Sequence, residues 1–342
     1  MEEFDLAPSC SAILQKCFIT SLRHIESRDL EEGQTGHAII LQIQSGISYK
    51  YSGVIDSTMD VLTSFYSSLP ADLDLSTAAI EFLVKPLDGL NKLRQNPLFN
   101  HKIALDSCVG SILALVGPKH FLNALPISIS GDPADDGDIP ARCGWLIPVF
   151  EAKLERRVEV AVFFNYFAKM PDTMIKATEN LDKYQAPIYL TLYREIWALF
   201  PKFCQNPSDL ARDFLKPGAA KGLNAVLESD ADNHKGASSN YSHVFSNLYF
   251  NNRIIPLKEI KPLVLSGIRK LVRFALRKSK DEKHPSNDYK LVMEKYSKNY
   301  LKTLLNMYRT NDQSVLAMST AKEIIKLTPR DKIIEFYTGK NH

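Results

Sequence analysis

Three arginines at four-residue spacing, Arg269, Arg273 and Arg277, are the residues of this chain best suited to chemistry, and that chemistry is electrostatic. On a helix, positions i, i+4 and i+8 fall near one another, so the three guanidinium heads line one side. Lys270, Lys278 and Lys280 widen the stripe, while Leu271, Val272, Phe274, Ala275 and Leu276 are placed to pack inward. Such a stripe can track the phosphates of RNA, arginine through a planar fork and lysine as a point charge. No aromatic is interleaved on the exposed side, so base stacking and sequence readout are not implied. Two other readings fit the same letters: a solvated face whose long side chains snorkel, and a docking face for an acidic protein. The charge distribution sharpens the question. Residues 253–302 hold 14 Lys/Arg against 5 Asp/Glu, a local net of +9, whereas residues 1–252 hold 22 against 30, a net of −8. A basic patch in an otherwise acidic chain points to a polyanionic partner.

Other chemistry finds less to stand on. Asp132, Asp136, Gly137 and Asp138 occupy positions one, five, six and seven of a calcium-loop count, but Ala134 falls at position three and Cys143 at position twelve, where a bidentate glutamate is needed. A solvated inter-helix loop is the better reading. No P-loop, GxSxG, HExxH or dinucleotide fingerprint occurs, and the eight histidines are dispersed. Cys108 and His120 can be imagined as a nucleophile and its base, yet nothing in the sequence orients them. The chain is read as a non-enzyme with no cofactor and no metal. Its five cysteines, Cys10, Cys17, Cys108, Cys143 and Cys204, are odd in number and scattered among apolar neighbours, the pattern of buried free thiols in a reducing compartment. The N-terminus has no apolar h-region and no run approaches a membrane span, so cytosol or nucleus is expected.

These residues sit on a chain of short helices. In the stretch 143–214, Tyr189, Leu192, Tyr193, Ile196, Leu199 and Phe200 recur at three- and four-residue spacing, an apolar face too wide for a solvated helix. Pro171, Pro187, Pro201 and Pro207 fall at or near segment ends, where proline punctuates. Upstream, residues 11–26 read as a helix with Ser9 or Ser11 as N-cap, residues 75–94 as a helix kinked at Pro86, and residues 98–116 as a helix stopped by Gly117-Pro118. Ile103, Ser107, Gly110 and Ala114 form a ridge of mostly small residues on it. Few stretches alternate at period two; QIQSGISYKY reads as helix end plus loop. Some fourteen to seventeen such segments predict an all-α fold, a HEAT/ARM-like solenoid of antiparallel helix pairs of roughly 40–47 residues. A first solenoid part spans 9–227, a polar Gly/Ser-rich loop or linker 228–243, and further helical repeats with the basic helix 244–338.

Three motifs carry a resemblance: GWLIPV with Trp145 and Pro148; FFNYF with Phe163 and Phe164; and EIWALFPKFCQNPSD with Trp197, Pro201, Phe203, Cys204, Pro207 and Asp209. In this order and spacing they resemble the ribosomal RNA processing protein twelve family, HEAT-repeat, karyopherin-like ribosome-assembly factors. HKIALDSCVGSILALVGPKHFLNALPISI is similar to the helix, Gly-Pro turn and short helix that precede the tryptophan there. Phe200 stands where leucine is more usual, and family members are usually several times longer. The physical reading of the same motifs is that Trp145 and Trp197 anchor helix pairs while Pro201 and Pro207 set turns.

The resemblance implies a nuclear and nucleolar scaffold that assists pre-rRNA processing and the maturation and nuclear export of pre-ribosomal subunits. Its implied partners are pre-ribosomal RNA and ribosome-assembly proteins, and, through the family alone, the small GTPase Ran and nucleoporins. The alternative is a generic karyopherin-like or HEAT adaptor that binds only proteins.

Overall fold

Apolar residues at helical spacing must find cover, and in this chain each helix finds it on another helix. The computed structural model describes residues 2–47, 53–70, 73–127, 144–155, 158–170, 186–210, 219–228, 257–281 and 288–338. Among them are fifteen α-helices and three short 3-10 turns. Among the described residues the extended pairing is one isolated bridge, between Val158 and Pro207. The calcium-loop candidates Asp132, Asp136, Gly137 and Asp138, and the polar segment after Glu228, lie outside the described residues.

Two compact units divide the chain. The first contains α1 (Glu2–Ser21), α2 (Thr35–Gln44), α3 (Ile55–Ser68), α4 (Thr77–Val84), α5 (Leu87–Gln95), α6 (Lys102–Val116), α7 (Pro118–Ala124) and α8 (Leu146–Lys153). Here α1 lies on α3, α3 on α6 and α6 on α8. The contacts keep a constant offset along the chain. Ser11 donates to the Ser57 carbonyl, 46 residues on. The rings of Phe18 and Phe65, 47 residues apart, meet edge to face at 5.6 Å. His101 Nδ1 meets the Asp56 carboxylate at 2.7 Å, 45 residues apart. A constant offset means that α1, α3 and α6 run in the same direction, each one repeat beyond the last, at the period of a HEAT unit. Gly117 turns the chain between α6 and α7 with φ of +81°, a conformation that costs glycine little, and Pro118 opens α7 where its missing N–H would have been unpaired anyway.

The second unit contains α9 (Val160–Asn165), α10 (Ala186–Phe203), α11 (Ala219–Glu228), α12 (Leu257–Ser279), α13 (Asp288–Arg309), α14 (Ser314–Ile325) and α15 (Arg330–Thr338). It has two layers. α10, α12 and α14 form one; Arg269 and Arg273 of α12 reach Ser319 and Glu323 of α14, each 50 residues on. In the other layer, Tyr300 of α13 donates to the Ala220 carbonyl of α11, and Thr303 donates to Asn224. The six apolar residues expected on one face of α10 are all buried. The fold is all-α, with repeat-like packing of helix pairs of the HEAT/ARM type.

Several local expectations need correction. Ser9 and Ser11 do not cap α1, which begins at Glu2 and runs through Pro8; Ser11 is buried instead. Proline's φ is already helical, so it removes one hydrogen bond without forcing a stop. Pro201 lies within the last turn of α10, near the segment end as expected. Cys108 and Cys204 are buried, but Cys10 and Cys17 are exposed on α1. Ile103 is 88% exposed, so the packed part of the α6 ridge is at Gly110, where an added Cβ would stand 2.6 Å from Lys153 Cγ.

Candidate nucleic-acid interface

The motif residues come first, because they fix the helix on which the basic face leans. Phe163 of α9 is fully buried and its ring meets Trp197 at 5.6 Å, Phe200 at 5.0 Å and Phe203 at 5.7 Å. Phe164 touches Phe200 at 5.9 Å. Asp209, 3% exposed, accepts from the backbone N–H groups of Val160 and Ala161 at 2.7 Å each. Those groups open α9, so a carboxylate 49 residues away caps the helix that carries Phe163. Pro207 bridges Val158, and Ser208 N–H donates to the Val158 carbonyl at 2.8 Å. Burial holds the Asp209 carboxyl above its ordinary value, and the two N–H donors oppose that shift.

In the first unit Trp145 is 6% exposed beneath the Arg94 guanidinium, 5.2 Å from the ring centroid, and Arg94 is paired with Asp106 at 2.8 Å. Pro148 lies exposed in the first turns of α8. Burial pushes the Cys108 thiol up to about 12 and the Cys204 thiol well above its ordinary value, so neither is a ready nucleophile. Among the described residues no group of His, Cys, Asp and Glu could hold a metal ion, and no helix is long and apolar enough to cross a membrane.

On α12 the basic row is divided between two neighbours. Each four-residue step advances about 40° beyond a full turn, so a row of three winds across the helix. Arg269 donates to Ser319 of α14 at 3.2 Å, and Arg273 pairs with Glu323 of α14 at 2.9 Å. Arg277 instead donates to Asn206 Oδ1, just past the end of α10, at 2.8 Å. Lys278 pairs with Asp281 at 3.7 Å, and Lys280 is exposed just beyond the helix. Lys270 is half-buried. Burial lowers its pKa first, and the neighbouring Lys202 and Arg269 lower it further. Leu271, Val272, Phe274 and Ala275 are buried as expected, with Leu276 half-buried.

Lys202 and Asn206 belong to this surface, and the spacing on α12 could not reveal them. Lys202 reads as a lone cation within an apolar motif; only the docking of α12 on α10 brings it beside Lys270. That docking is close. A Cβ on Gly267 would stand 2.3 Å from Phe200 Cε1.

Glu323 is the acid that draws on the basic face. Its carboxylate accepts from Lys326 at 2.8 Å and from Arg273, and its pKa is lowered, mainly by the Lys326 bond, against burial, with Arg273 adding to it. A depressed carboxylate contributes stability above its unfolded value near 4.5 and loses it as pH falls through the lower folded value. Glu323→Gln is therefore expected to flatten the melting temperature against pH across that acid window. Because both cations are more than half exposed, the loss at neutral pH is held to less than about 1 kcal/mol. Thermal melts of both proteins across the acid range test this; parallel curves would remove the pair's role.

Residues 5–235 match the family described as ribosomal RNA-processing protein 12, HEAT repeats. The chain is 26% identical over 231 residues to an RRP12-like protein of Homo sapiens, covering 66% of this chain and 17% of that protein. It is 25% identical over 194 residues to an RRP12-like protein of Gallus gallus, covering 56% of this chain and 14% of that one. A putative ribosomal RNA-processing protein 12 of Schizosaccharomyces pombe is 29% identical over 150 residues, 43% of this chain and 12% of its own length. The match thus spans less than a fifth of each of these relatives. It covers Lys202 and Asn206 and ends before α12.

Proposed function

Because the chain belongs to the HEAT-repeat family of ribosomal RNA-processing protein 12, we propose that it is a non-enzymatic helical scaffold of ribosome biogenesis. In this reading it assists pre-rRNA processing and subunit maturation by holding precursor RNA and assembly proteins together. The family match over residues 5–235 is the observation that carries it. The basic residues of α12 and its end, Arg269, Lys270, Arg273, Arg277, Lys278 and, just beyond, Lys280, supply its RNA-facing surface, and the layered helices supply faces for proteins. On the same premise the proposal extends to a nuclear and nucleolar location, to subunit export, and to Ran and nucleoporins as partners. None of the residues above carries these last partners; they rest on the family.

One observation favours a rival, a HEAT adaptor that binds only proteins: Arg273 and Lys278 are already paired with carboxylates inside the fold. Gradient sedimentation of the tagged full chain separates the two. Co-sedimentation with particles that contain precursor rRNA, lost on ribonuclease treatment, is expected. Sedimentation only with soluble proteins would sink the scaffold reading and leave the adaptor.

A further inference from the structure

Cations in the second unit are of two kinds. Many are matched: Arg194 with Glu259, Lys261 with Asp312, Arg273 and Lys326 with Glu323, and Lys332 with Glu294. At the junction where α10 ends against the second half of α12, the pattern reverses. Lys202 stands beside Lys270 there, Arg277 reaches Asn206, four residues past Lys202, and none of the three has a carboxylate partner among the described residues. Lys270 is half-buried, with Lys202 and Arg269 both raising the cost of its charge. Asp209, which follows a few residues on, is committed to the N–H groups of Val160 and Ala161. A cation near a helix C-terminus complements the helix dipole, which accounts for Lys202 in the last turn of α10 but not for Lys270 in mid-helix. Arg277 is held ready. One nitrogen is tied to Asn206, the guanidinium lies 5.8 Å from the centroid of the Phe274 ring, and its other donors can form a fork on an anion. Crowded like charges on a partly desolvated floor are unfavourable when empty and favourable when an anion sits among them.

We propose that the junction of α10 and α12 is a phosphate seat, in which Lys202, Lys270 and Arg277 grip the phosphodiester backbone of RNA. This rests on the RNA-scaffold reading and narrows it, moving the grip from the Arg269–Arg273 side to the α10 side. The contact is independent of sequence, because the seat offers cations and one amide and no exposed aromatic ring.

The test is binding of the full chain to a labelled oligouridylate, followed by fluorescence anisotropy across a salt series. Lys202→Glu with Arg277→Glu is expected to weaken binding roughly tenfold or more and to reduce the salt slope by about 1.4, two phosphate contacts at ~0.7 each on a single strand. The charge-matched control is Lys295→Glu with Lys302→Glu on the exposed side of α13, expected to stay within about twofold with an unchanged slope. If the acidic pair disturbs the circular dichroism melt, Lys202→Gln with Arg277→Gln gives the same slope change without charge reversal. Equal weakening by the α13 control would overturn the seat, because net charge alone would then explain binding. Wild-type binding with no effect of either α10–α12 pair would overturn the seat and leave the scaffold reading standing. Failure of the wild type to bind RNA, with binding of a polyglutamate peptide instead, would overturn both.

Discussion

Trp197→Ala is expected to lower the unfolding free energy by about 3–5 kcal/mol. The ring is 1% exposed and meets Phe163 at 5.6 Å and Phe200 at 6.3 Å, both edge to face, the arrangement that aromatic quadrupoles favour. Its indole N–H is buried without an acceptor among the described residues, so among these it is packing that holds the ring. Removing the ring leaves a cavity against two phenylalanines, Phe163 and Phe200, that are themselves fully buried and cannot close it without moving α9. Urea unfolding followed by circular dichroism measures the change. A loss under about 1 kcal/mol would mean that the aromatic cluster is not what joins α9 to α10.

Asp209→Ala is expected to cost on the order of 2–4 kcal/mol, since it orphans one buried and one part-buried backbone donor and removes a helix cap in one step. Asp209→Asn should cost less. Its amide oxygen can still accept one of the two N–H groups, and burial already holds the native carboxyl above its ordinary value, so a neutral group is tolerated. Hydrogen exchange at the Val160 and Ala161 amides gives a local readout, with protection falling most in the alanine variant. Equal protection in wild type and Asp209→Ala would show that the carboxylate does not hold α9.

Much of the fold could be read from the letters because the burial of α10 is written in a single period. Tyr189, Leu192, Tyr193, Ile196, Leu199 and Phe200 declare one face, and the structure covers that face. Gly117-Pro118 and the break at Pro86 were equally readable, since each follows from local backbone sterics. The repeat was not, because scattered contacts mark it and no run of letters does: Ser11 with Ser57, Phe18 with Phe65, and His101 with the unlike Asp56. Two of the three pairs repeat a letter, and the offset holds across all three. The start of α1 was not readable either, since packing along the rest of the helix outweighs the donor missing at Pro8.

At the candidate site the stripe on α12 was visible and its division was not. Which arginine is matched depends on Glu323, 50 residues downstream, and which stands ready depends on Asn206, 71 residues upstream. The role of Asp209 was hidden in the same way. It stood out as part of a motif, but the helix it caps lies 49 residues earlier in the chain.

The near-constant spacing of partners in the first unit also bears on how that part of the chain is born. Each of α3 and α6 meets a rod already synthesised about one repeat earlier, so little loop entropy stands between emergence and docking. At ~5–20 residues per second a translating ribosome extrudes such a repeat in a few seconds, far longer than a helix needs to form. The nascent chain can therefore be shelved rod by rod as it leaves the tunnel, and an early greasy surface waits only briefly for its cover.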